Sequence, residues 1–511
     1  MKLLLVNPRF PESFWSFRWA VQEILPAKKA INPPLGLATL AALCPQHWRV
    51  EIVDESVEPL PQAPAADLIG ICSMGVQFPR QRELLQYYRG RGYRVVAGGS
   101  YTSLCPEKYA DLADAVIAGE AERIWPQFCA DFERGAPQAL YRETGEVPLA
   151  ESPTPRFDLL RLHLYSTATL QFSRGCPYRC DFCDIIVMFG RKPRCKSPEQ
   201  IGRELDQLRS AGIRQVFFVD DNLIGHRPAA KELLRFLRRY QEEHRYRFSF
   251  GTEASLNLAQ DEELLRLFRE ANFGWVFIGI ETPDADSLKE TRKTQNTGAD
   301  ILGSVRRIYA EGIEVLAGFI VGFDNDTLET FERQHGFITA SGIQAAMVGL
   351  LTALPRTPLY QRLEQEGRLR PQEDDTDNTR PGTNIVPKRM AYEAMVGAYQ
   401  TLYRRLLTDR GIAARILNKL RHLGDPVSAS AYPLRDRLGI LWRLLRKGIL
   451  PGGPERIAWF LRTLPWRSPR RLPLVVTDWI TGLAMRKYVE RRFGGPKDGA
   501  QLERRALKAR A

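Results

Sequence analysis

The chain is 511 residues long, 44% hydrophobic and 26% charged. That balance excludes a disordered or fibrous protein and gives room for two or three domains. No apolar run reaches the length of a membrane span, and eight irregularly spaced cysteines exclude a disulfide framework and point to the reducing cytosol. The formal net charge of +13 is mostly a property of the stretch after Lys388; no established nucleic-acid motif accompanies it, so no nucleic-acid partner is expected.

The start, Met1-Lys-Leu-Leu-Leu-Val-Asn-Pro8, is apolar but breaks at once, so it reads as a first strand and not as a signal peptide. Further strands are expected at Val50–Val53, Leu68–Ser73, Arg94–Ala97 and Ala115–Ala118, with helices at Leu35–Leu43 and Arg80–Arg89. Alternation of strands and helices over 1–140 predicts an open parallel α/β sheet. Such sheets bind ligands at the carboxyl ends of their strands. Those ends carry Asn7-Pro8, Ser73-Met74, Gly98-Gly99-Ser100 and Gly119-Glu120. The aromatic run Phe10 to Trp19 reads either as a packed surface loop or as a lid.

A proline-rich linker is expected over 141–165, around Glu151-Ser-Pro-Thr-Pro-Arg156. Strand Thr169–Ser173 then leads into Arg174-Gly-Cys-Pro-Tyr-Arg-Cys-Asp-Phe-Cys183. Cys176, Cys180 and Cys183 place three thiols in one short loop, and thiolates are the ligands of iron–sulfur clusters. Three ligands can hold a [4Fe–4S] cluster and leave one iron open. A closed zinc site would need a fourth ligand, with Cys195 the nearest candidate. An inert buried cysteine group is the plainest alternative.

Five more strands are expected behind the loop, at Gln215–Val219, Arg247–Thr252, Trp275–Ile280, Glu314–Val321 and Ala345–Leu351, separated by helices. With the strand before the loop this makes a partial (βα)6 barrel over 166–370, whose active groups should lie at the strand carboxyl ends. Those ends carry Asp220-Asp221-Asn222, Glu253, Glu281 and Gly318 to Gly322. Six scattered histidines lack metal-ligand spacing. Beyond 370 comes a polar loop to Gly382 and then a basic helical region, 371–511, with a charged end from Lys497. Trp442, Trp459, Trp466 and Trp479 sit there among Arg and Lys. Two readings stand: a helical cap whose tryptophans fill its core, or amphipathic helices lying peripherally on the inner face of an anionic membrane.

The cysteine loop, with the aromatic Phe182 before its third cysteine, resembles the signature of the radical S-adenosylmethionine (SAM) enzymes. The ordered pieces over 1–140 resemble the cobalamin-binding domain found upstream of many of them. Asn32-Pro-Pro-Leu-Gly36 and Thr383-Asn-Ile-Val-Pro387 fit the same family, and the tail and aromatic start look like the branch containing hopanoid carbon methylases. The resemblance implies an N-terminal Rossmann-like cobalamin-binding domain, a radical SAM barrel and a helical carboxyl-terminal region. It implies cofactors too: a [4Fe–4S] cluster on the three cysteines, SAM and cobalamin. Ser73, Gly98, Gly99 and Glu120 would lie around cobalamin. Phe182, Asp220, Asp221, Glu253, Glu281, Gly318 and Gly322 would lie around SAM. Many relatives carry a histidine after the first strand as the lower cobalt ligand. Here that place reads Asn7-Pro-Arg-Phe-Pro-Glu-Ser13, so no histidine ligation is expected.

The implied activity is methyl transfer from SAM, through methylcobalamin, to an unactivated carbon of a lipid or isoprenoid-like substrate. An external donor of flavodoxin or ferredoxin type would supply electrons. Non-methylating radical oxidation or cyclisation, and a cobalamin or redox sensor without turnover, are the competing functions. No catalytic residue beyond the cofactor sites is singled out.

Overall fold

After its first residue, β1 (Lys2–Asn7) is buried throughout, as a strand covered on both faces must be. It pairs in parallel with β2 (Arg49–Asp54) and β3 (Leu68–Cys72). The sheet continues through β4 (Arg94–Gly98) and β5 (Ala115–Ala118) to β6 (Leu140–Arg142), in the order β2-β1-β3-β4-β5-β6. The reversal of order beside β1 creates a crevice at the carboxyl ends of β1 and β3, where open α/β sheets bind ligands. β6 lies in the stretch expected to open the linker, so the sheet takes one more strand than the sequence indicated. The computed structural model describes residues 1–371, 380–427 and 432–493. The polar loop expected after Arg370 and the charged end from Lys497 lie largely or wholly outside them.

The second sheet is the partial barrel: β7 (Ala168–Leu170), then β10 (Gln215–Phe218), β11 (Ser249–Glu253), β12 (Phe273–Glu281), β13 (Glu314–Val321) and β14 (Ala346–Leu350), all parallel. Between β7 and β10 comes a two-stranded antiparallel pair, β8 (Ser173–Arg174) and β9 (Arg194–Cys195), which brackets the cysteine loop. The strand expected over Thr169–Ser173 therefore splits in two. Helices Pro198–Ser210, Arg227–Glu243, Glu262–Glu270, Ile301–Ala310 and Leu328–Ser341 cover the outer face, and their apolar stripes join the strands in one core.

The carboxyl-terminal helices pack on the barrel and on the aromatic start. Buried Lys419, in helix Asp409–Leu420, pairs with Glu314 at the first residue of β13 and with Asp478 at 2.8 Å. Phe14 is buried between Tyr403 and Tyr488, with ring centroids 6.0 and 5.9 Å away. The ends of the chain thus share a core. Trp479 is fully buried in it, whereas Trp442 and Trp466 are not.

Candidate functional site

Asp220, two residues beyond β10, shapes the cysteine loop. It is fully buried and accepts hydrogen bonds from the backbone N–H of Phe172 at 3.0 Å, from that of Ser173, and from Ser173 Oγ at 2.5 Å. Those bonds compete with the sheet for the same amides, which explains why β7 stops at Leu170. Gly175 then turns with φ +90°; a Cβ there would press on the carbonyl oxygens of Gly190, Lys192 and Phe189 at 3.1–3.2 Å. Cys176, Cys180 and Cys183 follow, none of them in a disulfide.

The loop is held from several sides. Asp181 N–H donates to Thr291 O at 3.2 Å, and its carbonyl accepts from Leu359 N–H at 2.9 Å. Asn257 Nδ2 donates to Tyr178 OH at 2.7 Å. Donors also face the sulfurs: Gln295 Nε2 lies 3.7 Å from Cys180 Sγ and Asn222 Nδ2 4.0 Å from Cys176 Sγ. Burial raises the Cys176 and Cys183 thiols, and the Lys293 ammonium acts in the opposite sense. Among the described residues, no three Cys, His, Asp or Glu side chains converge as a single metal ion requires. Cluster ligands need not converge, because each cysteine binds a different iron. Cys195 sits in β9 beside Ser173, where burial and the Asp220 charge push its thiol to about 12. It stands outside the loop that carries the other three thiols, strand-paired to Ser173. The three-thiol loop, with amide donors and a cation aimed at it, fits a [4Fe–4S] cluster.

Carboxylates gather at the neighbouring strand ends. Both Asp220 oxygens accept from the backbone or Ser173, so Asp220 positions the loop. Asp221 keeps a buried Oδ2 without a partner; burial, then the neighbouring Asp220 charge, push it to about 7. Burial, then Asp221 and Asp220, push Glu253 to about 8. Among the described residues no cation forms an ion pair with Asp221 or Glu253, and Lys293 acts on Glu253 only from farther off, which leaves room for the ammonium of SAM. Glu281 ends β12 beyond an irregularity in its pairing and holds φ +65°. Its Oε1 accepts from Lys293 Nζ at 2.5 Å. A Cβ at Gly279 would strike both groups, at 2.5 and 2.8 Å, so the pair needs a glycine beside it. Gly322 turns at φ +102°, with its N–H donating to Asp326 at 2.7 Å. Phe182 lies 6.4 Å from Phe323, and Lys293 Nζ stands 5.8 Å from its ring. Lys293 and Gln295 were not legible in the sequence, being single polar residues in a loop without a repeating pattern.

In the first domain, Ser73 is buried and its hydroxyl donates to Gln81 Oε1. Tyr109 OH donates to the same oxygen at 2.7 Å. Gly99 packs on Ser73 so closely, at φ +112°, that a Cβ would lie 2.1 Å from Ser73 O; a Cβ on Gly98 would meet nothing within 4 Å. Ser73 and Gly99 therefore form a rigid floor, and Gly98 opens onto free space: a fit for the tail of a large ligand. Glu120 has partners of its own. Its oxygens accept from Arg174 at 2.7 Å and from Arg194 at 2.7 and 3.0 Å, all three side chains nearly sealed from water. It joins the first sheet to the cysteine loop. The loop after β1 carries no imidazole, and Gln77 Nε2 ties it down by donating to Asn7 Oδ1 at 3.2 Å and to Pro8 O. His47 precedes β2, at the opposite end of the sheet, paired with Glu133.

Residues 170–337 match the radical SAM superfamily, 28–128 the B12 binding domain, and 357–494 a domain of unknown function (DUF4070). An uncharacterized methyltransferase of Synechocystis sp. is 38% identical, over 87% of this chain and 84% of its own length. The hopanoid C-2 methylase of Rhodopseudomonas palustris is 35% identical, over 88% and 86%. The chain belongs to the cobalamin-binding radical SAM methylases. Its cofactors are a [4Fe–4S] cluster, SAM and cobalamin. The fold is also that of the cobalamin-dependent radical SAM enzyme OxsB, solved with aqua-cobalamin and SAM: TM-score 0.59 and 16% identity, over 96% of this chain and 83% of that one. The radical SAM methyltransferase TsrM of Kitasatospora setae aligns with TM-score 0.56 and 18% identity, over 73% and 76%.

The inward face of the barrel in this radical SAM methylase is only partly covered. Along β10, β12 and β13, buried residues alternate with half-buried ones. The buried set faces the helices, so the half-buried set, including Phe217, Trp275, Phe277, Leu316 and Ile320, faces the lumen. Phe217 and Trp275 are 5.1 Å apart by ring centroid. Trp15, from the aromatic start, stands 5.2 Å from Phe277. In the segment read as either packed loop or lid, Phe14 is packed and Trp15 stands beside Phe277.

Proposed function

We propose that this enzyme transfers a methyl group to an unactivated carbon of a lipid or isoprenoid-like substrate, with electrons from an external flavodoxin- or ferredoxin-type donor in the cytoplasm. The observation that carries the substrate class is the inward face of the barrel: its half-buried aromatic and aliphatic side chains, Phe217, Trp275, Phe277, Leu316 and Ile320, suit a bulky apolar molecule. The activity of the hopanoid methylase relative agrees with it.

When bound, the cofactors supply the radical that removes a substrate hydrogen and the methyl group that replaces it. The chain's own residues bind and orient. Cys176, Cys180 and Cys183 hold the cluster. Asp221 and Glu253 receive the ammonium of SAM, with Glu281, Gly318, Gly322 and Phe182 around the rest of it. Ser73, Gly98 and Gly99 receive the cobalamin tail. Asp220 and Glu120 position the loop, and the aromatic walls exclude water.

Anaerobic assay of the reconstituted enzyme with SAM, reductant and a lipid extract tests the reading. Release of both 5′-deoxyadenosine and S-adenosylhomocysteine, with a lipid gaining one methyl group, is expected. Deoxyadenosine alone would mean radical chemistry without methylation; neither product would mean a sensor.

A further inference from the structure

Helix Leu434–Leu444 has two apolar faces. Ile440 and Leu444 are buried in the carboxyl-terminal core, as its fold requires. Leu434, Leu438 and Trp442, at successive steps of four, form a second stripe that is 68, 59 and 61% exposed. A soluble helix normally leaves such a stripe polar. Leu450, Leu461 and Trp466 (74%) are exposed nearby in sequence, so six of the fourteen exposed large apolar residues among those described lie between Leu434 and Trp466.

The charge of the same segment is one-sided. From Leu434 to Arg471 there are ten Lys and Arg residues against two carboxylates, Asp436 and Glu455. Arg435, Arg446 and Arg467 are exposed, and Arg446 falls one further step of four beyond Trp442. Apolar side chains with tryptophan, ringed by cations, match the layered chemistry of an anionic bilayer surface: acyl chains below, phosphates above. A second protein copy matches it poorly, since two such faces would set like charges together. Among the described residues no helix is long and apolar enough to cross a membrane, so the contact is a docking and not a span.

We infer that the surface built on Leu434, Leu438 and Trp442 docks the enzyme on an anionic lipid bilayer. Exposure and charge carry this, independently of the substrate reading, and vesicle binding tests it without turnover. The full-length holoenzyme is sedimented with vesicles of phosphatidylcholine alone or mixed in equal parts with phosphatidylglycerol. Binding to the mixed vesicles is expected, falling as salt shortens the screening length from about 10 Å at 0.1 M to about 3 Å at 1 M. The double variant Leu438→Glu/Trp442→Glu should bind about tenfold more weakly or worse, with an unchanged thermal midpoint because both side chains are already in water. Arg435→Glu/Arg446→Glu should bind weakly too, without touching apolar surface. Three outcomes would overturn the inference: no vesicle binding by the parent protein, binding by both variants as strong as the parent's, or a concentration-dependent dimer in ultracentrifugation that the first variant abolishes.

Discussion

Arg174 and Glu120 meet at 2.7 Å across the junction of the first sheet and the cysteine loop, with side chains 11 and 6% exposed. Glu122 holds the other arm of Arg174 at 2.8 Å, and Arg194 shares Glu120. Two cations and two carboxylates thus lie in one nearly dry place, where removing one member leaves an unpaired buried charge. Glu120 sits at the end of β5, where cobalamin domains place ligand contacts. Its oxygens are instead committed to holding the two cofactor domains in register.

Glu120→Ala should therefore cost about 3–5 kcal/mol of stability while cobalamin affinity changes little. Denaturant unfolding and cobalamin titration of the same preparations separate the two effects. Lost cobalamin affinity at unchanged stability would return Glu120 to the cofactor.

Cys176→Ala, Cys180→Ala and Cys183→Ala should each abolish the iron–sulfur absorbance and 5′-deoxyadenosine release, and Cys195→Ala should not. Cys195 lies in β9, opposite Ser173 and outside the loop that carries the other three. If its loss were as damaging as the others, a closed four-thiolate site would be preferred.

The open sheet, the barrel order and the cysteine loop were legible because each is written in local pattern. Apolar runs of four and five residues mark β1 and β3, and the loop spacing needs only eight residues. What stayed hidden depends on distant partners. Glu120 finds Arg174 and Arg194 54 and 74 positions away. Asp220 ends β7 by taking amides 47 and 48 positions upstream. β6 is three residues with one buried side chain, too short to show alternation. The tryptophans of the tail look alike in sequence, yet tertiary packing buries Trp479 and leaves Trp466 in water.

Cobalamin should bind without a protein imidazole. The loop after β1 offers Asn7, Pro8 and Arg9, and Gln77 and Glu55 tie its backbone down. The reduced Co(II) spectrum should lack nitrogen hyperfine coupling from the protein. A coupled signal that disappears on replacing one of the six histidines would refute this.

Glu253 makes stability depend on pH. Its pKa is raised to about 8 in the fold against about 4.3 in an unfolded chain. Between these values the native state holds a proton that the unfolded state releases, so this group's contribution to stability falls as pH rises and is constant below about 4. In cofactor-free protein, Glu253→Gln should relieve a penalty on the order of 1–3 kcal/mol at pH 8 and little near pH 4. Urea unfolding at the two pH values measures it; an equal effect at both would mean that the carboxylate is ionised in the fold.

The inward aromatic face of the barrel depends on one glycine. A Cβ on Gly251 would lie 1.9–2.4 Å from the ring atoms of Trp275 on the neighbouring strand, inside any van der Waals contact. Gly251→Ala must push the indole into the lumen or bend β11, and such overpacking costs about 1–3 kcal/mol. Trp275→Leu alone loses part of a half-buried aromatic contact with Phe217. In the double variant the new methyl group meets no ring, so most of the Gly251→Ala cost should vanish. The two changes should then couple favourably by more than about 0.5 kcal/mol in a double-mutant cycle read by denaturant unfolding. Strict additivity would show that Trp275 does not stand over Gly251, and the aromatic wall of the lumen would have to be redrawn.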